Sequence, residues 1–329
     1  MKDNKKIISP QELINDVKNY SGKSGGWPQD FKYDVKNENI TLSVNEEALN
    51  KKACRRLDPW GLAFLNEVKS KCNSKINQVN FEISGDIDKI KPYGRLTPDV
   101  EAFRRRVSFL NSNNQDLNFK ITINGETLVL EDINILLNRP DNEIIRENIE
   151  SIPQDNHPGR LEKDFQTWLY ANATKRGEGT NTNERLAVLG EDFFKLKNKA
   201  MGIYREFPTG VFNGKISRNE RILPTEFVDI VTLNKFGQLA VIELKLNDSQ
   251  LEVIAQLLDY ALFFRCYRDK LRPIIVQKLA YSPRSKEIIC YLVNNHFHDR
   301  FDDVMQYYIP KDESYGFSIK KVVLGYSKP

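Results

Sequence analysis

Residues 226–260, EFVDIVTLNKFGQLAVIELKLNDSQLEVIAQLLDY, read as two strands, a tight turn and a helix. Phe227 to Leu233 and Leu239 to Leu246 are rich in β-branched and large apolar side chains, and Asn234-Lys235-Phe236-Gly237 joins them with turn chemistry. Side chains alternate along a strand, so Glu243 and Lys245 share one face while Ile242, Leu244 and Leu246 take the other. Folding the hairpin about Lys235–Phe236 brings Asp229 almost opposite Glu243, with a one-residue bulge left to settle the register. Two carboxylates and a lysine therefore converge on one side of a strongly apolar hairpin, where unpaired charge is costly. Adjacent carboxylates raise each other's pKa unless a cation such as Mg2+ lies between them. A lysine two residues on can then hold a water or a phosphate near that ion. The plainer alternative is an ordinary hairpin with a solvated Glu243–Lys245 pair.

Asp-x13-Glu-x-Lys on paired strands resembles the pattern of the PD-(D/E)XK nuclease superfamily. Gln256 and Tyr260 lie four apart on one helical face. Gln-x-x-x-Tyr after the Glu-x-Lys strand is similar to the branch that holds the RecB-type nuclease domains. Glu-x-Lys alone carries no weight, because Glu67-Val68-Lys69 repeats it on an expected helix. Pro224 stands five residues before Asp229, whereas the family's proline adjoins its acidic residue.

The resemblance implies an α/β fold, α+β overall, with a restriction-endonuclease-like mixed central sheet flanked by helices. It implies Mg2+, with Mn2+ able to substitute, held by Asp229, Glu243 and the main-chain carbonyl of Leu244. In this superfamily a helix before the core hairpin often adds an acidic residue, which makes Glu162 the candidate; a surface glutamate near a helix start is the alternative. Lys245 would orient or help deprotonate the attacking water and stabilise the anionic transition state. Gln256 and Tyr260 would position the lysine or the phosphate.

The chain of 329 residues suggests two domains, each able to bury a core. With 40% hydrophobic and 29% charged residues it reads as globular, and a net charge of +4 does not mark the whole chain as a polyanion binder. No apolar run is long enough to span a bilayer and no secretory signal is visible, so the expected location is cytoplasmic. Cys54, Cys72, Cys266 and Cys290 show no Cys-x-x-Cys spacing and read as reduced thiols.

Residues 1–145 form an expected α+β amino-terminal domain for recognition or regulation. Helices are expected from Ser9-Pro10 to Tyr20, from an Asp58-Pro59 cap to Cys72, and from Thr97-Pro98 onward. Strands are expected at Ile40–Val44 and Ile76–Ile83, with a hairpin about Asn124-Gly125. Arg104-Arg105-Arg106, with Arg55 and Arg56, either contact phosphates or simply solvate the surface. Gly22-Lys23-Ser24 lacks the first glycine and the preceding strand of a phosphate-binding loop.

Residues 146–160 are a polar linker, and residues 161–329 are the nuclease-like domain. Leu161, Phe165 and Leu169 make an apolar stripe with Glu162 at its edge and Trp168 beside it. Lys175, Arg176 and Arg185 around a polar loop, and Lys215, Arg218 and Arg221 before the hairpin, are candidate DNA-backbone contacts. Leu186–Lys199 is expected to be helical, Tyr204–Phe207 the first strand of the core sheet, and Asn247-Asp248-Ser249 the cap of a helix ending near Arg268. Pro273–Ala280 is expected to be a strand parallel to Leu239–Leu246, Lys286–Asn295 a helix with a strand as alternative, and Phe317–Tyr326 an edge strand. His296 and His298 read as surface histidines without a third metal ligand.

The function these residues imply is a Mg2+-dependent DNA endonuclease of restriction or antiphage defence, similar to restriction enzymes and to Shedu-type proteins. A repair or recombination nuclease acting on ends or junctions is the second reading, and a catalytically silent DNA-binding or scaffold protein the third. DNA is the expected partner, with assembly into a homo-oligomer left open.

Overall fold

A computed structural model describes residues 7–19, 26–131, 139, 160–171, 184–193, 203–212, 215–217, 220–223, 227–279 and 282–325. In chain order its helices are α1 (Pro10–Asn19), α2 (Glu46–Asn50), α3 (Leu57–Lys71), α4 (Ile87–Ile90), α5 (Pro98–Asn113), α6 (Arg160–Ala171), α7 (Val253–Leu279) and α8 (Phe301–Tyr308). Its strands are β1 (Lys32–Lys36), β2 (Asn39–Val44), β3 (Gln78–Ile83), β4 (Asn118–Ile123), β5 (Glu126–Thr127), β6 (Tyr204–Pro208), β7 (Phe227–Leu233), β8 (Leu239–Leu244), β9 (Ile288–Asn294) and β10 (Phe317–Val323). The protein is mixed α/β, with two five-stranded sheets in the orders β1-β2-β3-β4-β5 and β10-β9-β8-β7-β6. Two compact units result. The first takes Met1–Ile135, Ser249–Ala255 and His298–Lys311; the second takes Leu136–Asp248, Gln256–Phe297 and Asp312–Pro329. Among the described residues no helix is long and apolar enough to cross a membrane.

In the first unit β2, β3 and β4 run parallel, and β1 and β5 close the edges antiparallel. Their register aligns apolar rows, Ile40–Val79–Phe119, Leu42–Phe81–Ile121 and Val44–Ile83–Ile123, all buried. The turn between β4 and β5 is the expected hairpin: Asn124 and Gly125 both take positive φ, at 51° and 86°, as a primed turn requires. Three loops of chemistry tie the late segment 298–311 into this unit. Tyr307 donates its hydroxyl to Asn66 Oδ1 at 2.7 Å, Asn113 donates to the carbonyls of Tyr307 and Ile309 at 3.1 and 2.9 Å, and Arg300 Nε donates to Glu67 at 3.0 Å.

Asp58 does not cap α3. It lies within the first turn, fully buried, and accepts from Arg106 Nε and Nη2 at 3.0 Å each and from the Tyr308 hydroxyl at 2.7 Å. The arginine run is therefore neither a phosphate patch nor a solvated surface at two of its three positions. Arg106 is spent on Asp58, and Arg104 is buried against Glu101, with 2.6 and 3.0 Å bonds, and Glu131 at 2.9 Å. Arg55 and Arg56 are likewise paired, with Asp99 and Asp30. Helical periodicity gave no warning for Arg106, whose partner lies 48 residues away in sequence, whereas the Glu101–Arg104 pair has the three-residue spacing of helical neighbours.

In the second unit β6, β7 and β8 are antiparallel neighbours, and β8, β9 and β10 are parallel. Tyr204–Pro208 and the edge strand Phe317–Val323 stand where the sequence put strands. Four expectations are corrected. Pro273–Ala280 is not a strand: α7 runs for 27 residues through Pro273. Its buried Phe264, Tyr267, Leu271, Ile275 and Leu279 repeat every three or four residues, and Pro273 itself is exposed, so the proline loses one ladder bond without entering the core. The strand parallel to β8 is instead Ile288–Asn294, every residue of which is buried, so burial on both faces overrides its helical reading. Leu186–Lys199 is not a continuous helix in its described part, which forms short 3-10 turns at Glu184–Leu189 and Glu191–Phe193. Asn247–Ser249 does not cap α7 either; Asn247 takes a positive φ of 62° and bonds Asn295, and the helix begins at Val253.

His298 is buried rather than on the surface. Its ring meets Trp60 edge-on at 5.3 Å and its Nδ1 accepts from the Arg300 backbone N–H at 3.1 Å.

Breaking the Asp58–Arg106 pair should destabilise the first unit strongly, because it strands one buried charge. Asp58→Ala in the full chain is expected to lose ~3–5 kcal/mol in urea unfolding followed by tryptophan fluorescence. A loss under ~1 kcal/mol would mean that the pair behaves as a solvated one.

Candidate functional site

β7 and β8 pair with Ile230 opposite Ile242, Val231 opposite Val241, Thr232 opposite Ala240 and Leu233 opposite Leu239. The ladder ends at Ile230–Ile242; just beyond it the Leu244 backbone N–H bonds the Asp229 side chain at 2.8 Å, which keeps Asp229 beside Glu243. The turn that fixes the register is closed by the Asn234 backbone N–H on the Gln238 carbonyl at 3.0 Å, and Gly237 supplies the positive φ, 76°. Ala240, Ile242 and Leu244 pack into a core with Leu169, Phe193, Ile230, Ile289 and Val293. Alternation therefore leaves Glu243 on the other face, where α7 carries Gln256 and Tyr260.

Asp229 is held by three bonds. Its Oδ2 accepts from the Leu244 backbone N–H at 2.8 Å, and its Oδ1 accepts from Gln166 Nε2 at 3.3 Å, which also donates to the Asp229 carbonyl at 3.1 Å. Gln166 is itself held by Arg205, whose Nε donates to Gln166 Oε1 at 3.1 Å. Sequence reasoning did not pick out Gln166 or Arg205. The available signal was spacing: Gln166 is one helical turn after Glu162, so both project from the same side of α6.

Glu243 is 2% exposed, and its two oxygens are treated unequally. Oε1 accepts from Gln256 Nε2 at 2.6 Å and pairs with Lys245 Nζ at 2.7 Å. Oε2 is buried with no hydrogen-bonding partner in a group that also interacts with the Asp229 carboxyl, so that only a shared proton or a cation would satisfy it. Gln256 also donates to the Tyr260 hydroxyl at 2.9 Å, and that hydroxyl donates to the Phe227 carbonyl at 3.0 Å. The Gln-x-x-x-Tyr spacing thus produces a relay from the end of β7 to Glu243. Glu162 joins from α6, with its Oε1 3.8 Å from Lys245 Nζ. The ammonium stands between two carboxylates, and Glu162 reaches the Asp229–Glu243 pair through it.

The electrostatics follow from burial. Desolvation pushes the Asp229 carboxyl well above the ordinary carboxylate range, the Glu243 charge pushes it further, and Lys245 and the Leu244 N–H oppose both. Desolvation also raises Glu243, against the pull of Lys245. Burial disfavours the Lys245 charge, but Glu243, Asp229 and Glu162 together outweigh it and hold the amine above its ordinary value. It is a fixed cation. Tyr260 is raised by burial and by the Glu243 charge, so its hydroxyl stays a donor. Glu162 is raised to about 7, by burial first and Asp229 next, against Lys245 and the Leu246 N–H.

Asp229, Glu243, Lys245, Glu162, Gln256 and Tyr260 therefore form one connected cluster in the second unit. Leu244 contributes its N–H to Asp229 and its side chain to the core. The basic candidates are arranged differently. Arg185 stacks on Trp168 at 4.7 Å and donates to its carbonyl at 2.6 Å, Arg221 lies over Phe212 at 5.7 Å, and Lys215 is exposed. Lys175, Arg176, Arg218 and Pro224 fall outside the described residues.

Among the described residues no three of the His, Cys, Asp and Glu side chains are gathered as a ready set of metal ligands. The donor chemistry nevertheless suits a hard cation. Two buried oxygen-bearing groups face each other with raised pKa values, and one oxygen is orphaned. No protein-family model matches the chain, and no curated protein sequence matches it.

The raised pKa of Glu162 makes a stability prediction for the metal-free protein. The folded state binds this proton more tightly than the unfolded chain. Stability from this group is therefore full below the ordinary carboxylate pKa of 4.5 and is lost as pH rises through about 7. Glu162→Gln cannot ionise and escapes that loss. In EDTA, its Tm relative to the wild type should shift upward between acidic and mildly alkaline buffer. A Tm difference that does not change with pH would show that Glu162 titrates at its ordinary value.

Proposed function

We propose that the second unit is a Mg2+-dependent DNA endonuclease of the PD-(D/E)XK type. The observation that carries this reading is the buried, interacting Asp229–Glu243 pair on adjacent strands, with Lys245 at 2.7 Å from Glu243 and one Glu243 oxygen left without a partner. Two self-repelling carboxylates inside an apolar sheet oppose folding, so their presence calls for a ligand that uses them. The mixed sheet, with an antiparallel β6–β7–β8 meander followed by α7 and a parallel β9, supports the restriction-endonuclease-like fold that the resemblance implies. Restriction or antiphage defence is the role the resemblance adds.

Asp229 and Glu243 would hold the ion, with the Leu244 carbonyl and Glu162 as further oxygen ligands. Such an ion supplies Lewis-acid polarisation of the phosphoryl group and makes the attacking water more acidic. The chain does the rest. Lys245 places a permanent positive charge where the phosphoryl oxygens gain negative charge in hydrolysis. Gln166 and the Leu244 N–H fix the Asp229 rotamer, so its carboxylate does not turn to seek other donors. Gln256, anchored by Tyr260 to the end of β7, does the same for Glu243 and leaves its second oxygen free to ligate. Lys245 also screens Glu162 from Glu243, which eases the repulsion between them.

The test is cleavage of supercoiled plasmid with Mg2+. The wild type is expected to nick or linearise it, EDTA to stop it, and Glu243→Ala or Lys245→Ala to slow it ~100-fold or more, while circular dichroism and DNA binding are retained. Robust cutting by Lys245→Ala would remove the lysine from the mechanism. If the wild type leaves circular, linear and branched DNA all intact, the hydrolase reading fails and a DNA-binding or scaffold protein remains.

A further inference from the structure

The second unit carries a cleft of about 320 Å3 whose lining includes Tyr170, Tyr204, Arg205, Glu206, Phe227 and Lys278. None of these six belongs to the carboxylate cluster, yet two hydrogen-bonded routes join the cleft wall to it. Arg205 donates to Gln166, which donates to Asp229. The Phe227 carbonyl accepts from Tyr260, whose hydroxyl also accepts from Gln256, the donor to Glu243.

The lining combines aromatic faces with cations. The Arg205 guanidinium lies 6.0 Å from the Tyr170 ring centre, and the Lys278 ammonium lies 5.5 Å from that of Tyr204. Tyr204 is buried and serves to place Lys278, while Tyr170 and Phe227 are half-buried and offer surface to a ligand. Lys278 is exposed at the mouth.

The backbone of β6 is distorted at this point. Arg205 pairs with Ile230 and Phe207 with Val228, but Glu206 between them leaves the ladder, with a φ of 52°. A regular strand residue there would fall opposite Asp229 and share its face. Glu206 instead lines the cleft and pairs with Arg205 at 3.4 Å, so a further acid is kept off the carboxylate pair. Non-glycine residues in this conformation are strained, and such strain persists chiefly where a site depends on it.

A volume near the small end of ligand sites admits one planar group and its linkage, not a duplex. A flat apolar surface flanked by Lys278 and by Arg205, the latter shared with Glu206, matches an aromatic base carrying a phosphate, the combination by which single strands are held. Duplex DNA offers phosphates but keeps its bases stacked. We propose that this cleft is a subsite for one unpaired nucleotide of a DNA strand, beside the bond handled by the Asp229–Glu243 pair; this rests on the nuclease reading above.

Binding and cleavage can be read apart. The full-length protein is titrated in EDTA into a fluorescein-labelled short single strand, the matching duplex, and an abasic strand of the same length, and anisotropy is recorded. The natural single strand should bind more tightly than either of the others. Tyr170→Ala and Lys278→Glu should each weaken it about tenfold, Tyr170→Phe should not, and duplex affinity should change far less. Should Tyr170→Ala fail to fold, the exposed Lys278→Glu decides. Equal affinity for the abasic strand, wild-type single-strand binding by Lys278→Glu, or an equal loss on duplex would overturn the subsite. Plasmid cleavage with Mg2+ is scored separately, so an inactive protein that still shows the base-dependent binding would refute the nuclease and keep the cleft.

Discussion

Burial of like charges side by side is the constraint around which the second unit is built. Asp229 and Glu243 lie side by side on neighbouring strands whose other residues, Thr232 apart, are apolar. A buried ion stripped of its partners costs several kcal/mol, while a hydrogen bond to a charged group returns about 1.5–3 kcal/mol. Asp229, with the Leu244 N–H and Gln166 on its two oxygens, is close to balanced. Glu243 is not, because Lys245 and Gln256 both serve Oε1 and Oε2 has no donor beyond a proton shared with Asp229. The imbalance is localised on one atom, and that atom is where a cation has most to offer.

The first unit handles charge in the opposite way. Its buried arginines are each matched with acids, Arg106 with Asp58 and Arg104 with Glu101 and Glu131, and the Asp58 cluster even recruits a tyrosine hydroxyl from α8. Saturated pairs of this kind hold a fold in register but have no capacity left for a ligand. The contrast between a saturated cluster and an unsaturated one is what separates scaffold from site in this protein.

How much of this could be read beforehand depends on the range of the interactions involved. The β7–β8 hairpin was readable because turn chemistry and alternation are local, and they placed Asp229, Glu243 and Lys245 together. Gln256 and Tyr260 followed from a four-residue helical spacing. Gln166 escaped because its role depends on α6 meeting β7, across 63 residues of chain. Pro273 misled in the other direction. Its local signal to break a helix was real, but the apolar face of Tyr267, Leu271, Ile275 and Leu279 continues past it and a solvent-facing ring is tolerated. Lys286–Asn295 was ambiguous by pattern alone, and only burial on both sides decides for a strand. Arg106 escaped because its partner Asp58 lies 48 residues away, whereas the three-residue spacing of Glu101 and Arg104 was a local signal that went unused.

The unit assignment of α8 has a consequence for biogenesis. The amino-terminal sheet and its helices are encoded early, yet the Tyr308 hydroxyl on Asp58 and the Tyr307 hydroxyl on Asn66 come from a helix encoded about 250 positions later. Domains generally fold as they emerge from the ribosome. Here the first unit would leave the exit tunnel with its Asp58–Arg106 cluster short of one donor, and would be completed only after the whole β7–β8 hairpin had been made. A nascent chain halted before Phe301 would carry an unsealed amino-terminal half, the form most exposed to chaperones and proteases.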